Sequence, residues 1–314
     1  MIERGPQGNT LDQICGELGV TPVAQFRGGE KLPLGEEAAT MYLVEGPERK
    51  LKNLKVGNFN EDEARKTNWL RERLAGSKLA RVPEVLREES GRYILFEHVN
   101  GLPLSRESFW KMPSVMDRSF MALSEIDQVL NQEPLSNTEV QEGRDWVRKK
   151  LESEWVEPIL QDAELTRGGL FTPEFIHHIQ SYAGQHQDKL GDIVRIWRDP
   201  NGDHMIVPYD TTDRRMGIVD IDIGTRPRHY MPMRLLAWSL LRMADDKLLL
   251  ETWVRNNREQ QHLGAEVNPT FVLSLVGILY DLATGEKDNK SKRLIAIEVK
   301  NIIREIIDGS QEEN

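Results

Sequence analysis

Two short stretches of the chain hold residue types that do chemistry. In "WRDPNGDH", Asp199 follows Arg198, and His204 stands five residues after Asp199, directly ahead of the apolar "MIV". Sixteen residues beyond His204, "GIVDIDIG" sets Asp220 and Asp222 two apart in apolar surroundings. On a strand, that spacing points both carboxylates to one face, an arrangement suited to a hard divalent cation. Two acids inside an apolar strand are costly to bury unless they are paired or ligated. A base aspartate with a metal ligand five residues further on is a layout that serves phosphoryl transfer. By itself, "WRDPNGDH" is only a polar turn before a strand.

Phosphoryl transfer also needs a cation on the nucleotide phosphates and an acid to fix that cation. In "NLKVG", Leu54 and Val56 face one side of a predicted strand and Lys55 the other, so a single ammonium can point away from the core. Taken alone it is an exposed strand lysine. Glu61, Asp62 and Glu63 open the next helix, and each is a candidate to reach back to Lys55. On composition alone all three are first-turn acids favoured by the helix dipole.

The elements that must position these residues fall into two groups. Residues 11–19 suit a short helix; "VAQF", "MYLV" and "LKNLKV" then read as antiparallel strands separated by "RGGEK" and "EGPE". A strong helix follows in "NEDEARKTNWLRERLAG", with Asn60 as cap, Arg71 and Arg73 in the last turn and Gly76 as its stop. "VPEVL" and "RYILFEHV" add two strands, and "NGLPL" marks a boundary, giving a small α+β N-terminal lobe over 1–99 and a helical lobe over 100–314. In the second part "SVMD" has capping-box spacing, and Thr172, Pro173 and Glu174 open a helix in the expected order. Further helices are predicted over 137–161, 232–257, 269–283 and 291–308, and a β-rich insert over 193–223 carries the acids.

Composition sets the outer limits. A chain of 314 residues with 39% hydrophobic content buries one large core or two modest ones. The formal net charge of -10 argues against nucleic acid or anionic lipid as a partner and permits a cationic one. A single cysteine, Cys15, makes no internal disulfide and reads as a packed thiol. The polar start "MIERGPQGNT" lacks the apolar core of a signal peptide, and no apolar run approaches the ~20 residues that span a bilayer, so a cytoplasmic location is expected.

In order and spacing, "LKVG", "EARKTNWL", "VPEVL", "YILFEHVNGLPL", "WRDPNGDH", "GIVDID" and "HYMPMRLLAWSL" resemble the aminoglycoside phosphotransferase and choline kinase group over about residues 40–242. The resemblance implies an α+β, bilobal protein-kinase-like fold: a small antiparallel-sheet lobe with one helix and a larger, mainly helical lobe. It implies an ATP-dependent phosphotransferase that moves the γ-phosphoryl group, with Mg2+ or Mn2+, to a hydroxyl of an aminoglycoside-, amino-alcohol- or sugar-like acceptor. In that family's terms Lys55 contacts the α and β phosphates, Glu63 pairs with it, Asp199 is the catalytic base and Asp220 the principal metal ligand. "FEHV" matches the hinge, so the Glu97 carbonyl and Val99 amide meet the adenine edge.

The departures from the family pattern are Trp197 in place of a histidine, His204 in place of the asparagine, and Met231 or Met233 near "HYMP" where an acid is usual. Magnesium prefers oxygen ligands, so His204 either shifts the metal preference, leaves Asp222 to complete the site, or marks a pseudokinase that only binds nucleotide or other partners. Gly28, Gly29 and Gly35 supply amides near the expected phosphate loop without forming a clean glycine-rich motif. Glu133, Glu139, Glu142, Asp145, Glu152 and Glu154 crowd the expected acceptor region, which suits a cationic acceptor and equally an ordinary solvated helix face. His177 and His178 are read as surface or packing residues, and Trp110, Trp146, Trp155 and Trp238 as fillers of the helical core.

Overall fold

The computed structural model describes residues 11–27, 39–57, 62–105, 109, 112–209, 213–243, 267–285 and 289–312. The chain begins with α1 (Leu11–Leu18), β1 (Thr21–Arg27), β2 (Thr40–Glu45), β3 (Leu51–Val56) and α2 (Glu63–Arg73). Short strands follow: β4 (Ala80–Arg81), β5 (Val85–Glu89), β6 (Tyr93–Glu97) and β7 (Gly101–Pro103). Helices α3 (Pro113–Leu130), α4 (Asn137–Lys149), α5 (Val156–Gln161), α6 (Ala163–Thr166), α7 (Pro173–Gln185) and α8 (Gln187–Leu190) come next. The remaining elements are β8 (Ile193–Trp197), β9 (Met205–Pro208), β10 (Met216–Ile218), β11 (Ile223–Pro227), α9 (Tyr230–Met243), α10 (Asn268–Thr284) and α11 (Asn289–Glu312).

Two compact units result, one formed by Met1–Leu102 with Ile206–Asp222, the other by Pro103–Met205 with Ile223–Asn314. The boundary expected near residue 100 is thus crossed by one segment, 206–222, which the sequence alone assigned to the second part.

In the first unit a five-stranded antiparallel sheet runs in the order β1-β2-β3-β6-β5. Strand alternation does what period two requires. Leu54, Tyr93 and Leu95 are buried with Ile14, Cys15 and Val20, and Val56 packs on that cluster, so α1 closes one face. On the other face Ile94 and Phe96 pack against Ala64 of α2. Lys55 is paired in register with Ile94 and shares that second face. Burial pushes the Cys15 thiol up from its ordinary value. A second sheet, β4-β10-β9-β7, includes the parallel pair β4 and β10.

The second unit is built around α10, whose sequence "NPTFVLSLVGIL" is buried on every side from Asn268 to Leu279. Gly277 eases close packing there: a Cβ would lie 3.1 Å from Nη1 of Arg234 and 3.2 Å from the Trp155 ring. Helix α4 starts with a capping box between Ser136 and Glu139, and runs through a π-helical segment, Lys150–Glu154, into α5. Thr172 caps α7 and Pro173 opens it, as expected. The "SVMD" box does not form. Proline at the first helical position starts α3 at Pro113, so Ser114 lies inside the helix.

Asn60, Glu61, Trp110, the three glycines 28, 29 and 35, and the part of the 232–257 helix beyond Met243 fall outside the described residues. Among the described residues no helix is long and apolar enough to cross a membrane.

Candidate active site

In the first unit β3 delivers Lys55 to two carboxylates at once. Its Nζ lies 2.6 Å from Oε2 of Glu63 and 2.9 Å from Oδ1 of Asp220. Of the rivals for this role, Asp62 pairs instead with Arg65, 2.8 Å away. The helix turn explains the choice: Glu63 is the first residue of α2 and is buried, whereas Asp62 precedes it and stays exposed. Burial alone would lower the Lys55 ammonium, but Asp220 and Glu63 outweigh it and hold the pKa above its ordinary value. Burial raises the Glu63 carboxyl against the pull of Lys55, and the charges of Asp220 and Asp222 add to the rise.

One turn along α2, Lys66 reaches Asp222, with Nζ 3.2 Å from Oδ1. No local sequence pattern marks this contact, which spans 156 residues. Asp220 and Asp222 do not sit on a strand, as their spacing suggested; β10 stops at Ile218 and β11 starts at Ile223. The break is made by Asp220 itself, whose φ of 57 is left-handed. A non-glycine residue held there is strained, and such strain collects at functional sites.

At the end of β6, Arg81 grips the Glu97 side chain, and the Glu97 amide donates to the Glu84 carbonyl at 2.8 Å. Arg81 also reaches Asp213, whose carboxyl Arg215 holds down at about 2. Val99 is buried against Gly217, where a Cβ would come within 2.4 Å of Val99 Cγ1. The backbone of β10 therefore sets the position of Val99.

In the second unit, Asp199 opens a tightly bonded turn. Asn201 Nδ2 donates to Asp199 Oδ2 at 2.9 Å, and the Asn201 amide donates to the Asp199 carbonyl at 2.8 Å. His204 is buried, with Nδ1 3.1 Å from the Asp199 carbonyl oxygen and 3.3 Å from Oδ2. A carbonyl oxygen can only accept, so Nδ1 carries the proton and the imidazole braces the loop. Trp197, where the related pattern has histidine, is fully buried beneath it. The Asp199 carboxylate is about half exposed, at 49%.

The charge of Asp199 is felt by Tyr230, Arg234 and Asp281. Arg234 Nη2 donates to Asp281 Oδ2 at 2.7 Å, and burial raises the Asp281 carboxyl, opposed by Arg234. An aromatic wall adjoins this pair: Trp146 meets Trp155 and Tyr230 edge-on at 5.3 and 5.5 Å, Trp155 stacks on Tyr280, and Arg226 lies 3.8 Å over Trp146. Sequence reading missed Asp281 because an aspartate near a helix end looks like any surface acid. Several of the acids singled out instead are spent elsewhere. Glu139 is held by Arg195, Asp145 by Arg148 and Glu154 by Lys150. His177 is exposed and His178 half-buried on α7.

The donor set of the first unit fits magnesium. Magnesium keeps waters and substrate phosphates and takes only one or two carboxylates from the protein. Asp220 and Asp222 provide two, and among the described residues no group of three His, Cys, Asp or Glu side chains forms an all-protein cage.

No protein-family model matches the sequence, and no curated protein matches it. Solved structures do. A thermostable mutant of an aminoglycoside phosphotransferase, in complex with AMP-PNP and hygromycin B, is similar at a TM-score of 0.57 and 14% identity, over 94% of this chain and 96% of that one. A microcompartment-associated aminopropanol kinase gives 0.53 and 15%, over 92% and 93%. An ethanolamine kinase from Plasmodium vivax gives 0.50 and 11%, over 92% and 84%. The chain has the α+β, protein-kinase-like fold of these small-molecule phosphotransferases.

Proposed function

We propose that this chain is an ATP-dependent kinase of a small molecule that carries both a hydroxyl and an amine. The observation that carries the reading is Lys55 held between Glu63 and Asp220, with Asp220 in a left-handed backbone conformation. A lysine fixed in this way presents its ammonium to the α and β phosphates of ATP. The Glu97 carbonyl and Val99 amide serve the adenine edge. Asp220 would be the principal protein ligand of magnesium, with the Lys66-paired Asp222 carboxylate beside it, and His204 serves the catalytic loop. Bound magnesium supplies positive charge to the β and γ phosphates.

Asp199 accepts the acceptor's hydroxyl proton, the freed oxygen electron pair attacks the γ phosphorus, and the bond to ADP breaks. Asn201 and His204 hold the Asp199 loop for that step. The fold neighbours include proteins that bind hygromycin B or act on aminopropanol and ethanolamine, which supports an amine-bearing acceptor. Asp281, partly exposed within the field of Asp199 and bonded to Arg234 through Oδ2, would share its carboxylate with the ammonium.

The test is calorimetric titration of ATP with and without magnesium or manganese, on the wild type and on Asp220→Ala. Metal-dependent binding that the substitution abolishes is expected, together with a loss of roughly 100-fold or more in turnover of amino alcohols by Asp199→Asn. Absence of nucleotide binding under any metal refutes the reading.

A further inference from the structure

We propose that Lys66 takes the place of a second divalent ion, so that this kinase works with a single metal. The inference rests on the kinase reading above. In protein kinases two magnesium ions are held, by the aspartate after the catalytic loop and by the loop asparagine. Here the asparagine position is His204, a buried imidazole whose Nδ1 is spent on the Asp199 carbonyl. The second carboxylate is occupied as well. Lys66 Nζ meets Asp222 Oδ1 at 3.2 Å, and the lysine is only 21% exposed while Asp222 is 38% exposed.

Position on the helix makes this pairing structural. Glu63 and Lys66 lie one turn apart on the face of α2 that meets Asp220 and Asp222, so the two lysines bind the two aspartates in parallel. Glu63 fixes Lys55 on Asp220 while Lys66 fixes itself on Asp222. A permanent ammonium at Asp222 neutralises a carboxylate that would otherwise repel the phosphates or recruit another cation. A tethered, partly buried lysine supplies that charge whatever the magnesium concentration, which an ion cannot.

The experiment counts manganese ions bound per ADP by electron paramagnetic resonance, alongside ADP affinity by calorimetry. The wild type should bind one ion per nucleotide, and Lys66→Arg should behave alike. In Lys66→Met the released Asp222 should admit a second ion. ADP affinity at limiting metal should fall roughly tenfold, the size of one charge-assisted hydrogen bond, and recover in excess manganese. The double variant Lys66→Met with Asp222→Asn, which removes charge of both signs, should return to one ion and keeps the test alive if the single variant folds poorly. Two ions per nucleotide in the wild type, or a Lys66→Met protein with one ion and unchanged affinity, overturns the inference while leaving the kinase reading intact. A wild type that binds no nucleotide refutes both.

Discussion

Glu63→Gln and Lys55→Met remove opposite ends of the same ion pair and should have very unequal effects on stability. The cluster sets three carboxylates, Glu63, Asp220 and Asp222, against the ammonium groups of Lys55 and Lys66. Negative charge is in excess, and Glu63 is the most deeply buried of the acids, its side chain 6% exposed. Its folded pKa lies above its ordinary 4.5, driven first by burial. A carboxyl raised in this way contributes stability that is fully present below the unfolded pKa and is lost as pH rises through the folded one. At neutral pH the ionised Glu63 is therefore a net electrostatic cost.

Glu63→Gln keeps the shape and leaves Lys55 with Asp220 at 2.9 Å. It should change unfolding free energy by no more than about 1 kcal/mol, and the change can be a gain. Lys55→Met leaves Glu63 and Asp220 without the cation they share, and removing one partner of a buried pair costs about 3–5 kcal/mol. Urea unfolding of the ligand-free proteins at pH 7 measures both. Repeated from pH 4.5 upward, it should show the wild type losing stability relative to Glu63→Gln. Equal destabilisation by the two variants would refute the charge count and make Glu63–Lys55 an ordinary stabilising pair.

Two further outcomes are expected. A methyl group on Gly217 would lie 2.4 Å from Val99 Cγ1 and 3.0 Å from Ile206 Cβ, so Gly217→Ala should displace Val99, whose amide is proposed to meet the adenine edge. Overpacking of this kind costs about 1–3 kcal/mol, and ATP affinity measured by calorimetry should fall roughly tenfold; unchanged affinity would remove Val99 from the nucleotide site. The Arg195 guanidinium holds the Glu139 carboxyl at about 2, below its ordinary 4.5, with the Glu139 side chain 32% exposed. That depressed pKa contributes stability present above pH 4.5 and lost as pH falls toward 2. Solvent screening discounts it to about 1 kcal/mol, so Glu139→Gln should be less stable by that amount at pH 7, with the gap closing in acid. A gap independent of pH in thermal unfolding would contradict this account.

The sequence by itself determined whatever depends on near neighbours. Strand alternation put Leu54 and Val56 on the α1 side and Lys55 opposite, because the backbone period of two is local. Thr172 and Pro173 announced α7 for the same reason: a cap bonds its own first turn. The kinase-like order of motifs was readable too, and the fold agrees with it.

Tertiary structure alone decided which acid meets Lys55. Glu61, Asp62 and Glu63 are rivals in sequence, and of the two among the described residues the packing of α2 against β5 and β6 buries Glu63 and leaves Asp62 exposed. It also broke the apparent strand at Asp220, joined Lys66 to Asp222 across 156 residues, and set Arg234 on Asp281 across 47. No local pattern encodes such pairs, since each depends on where two separately folded elements come to rest.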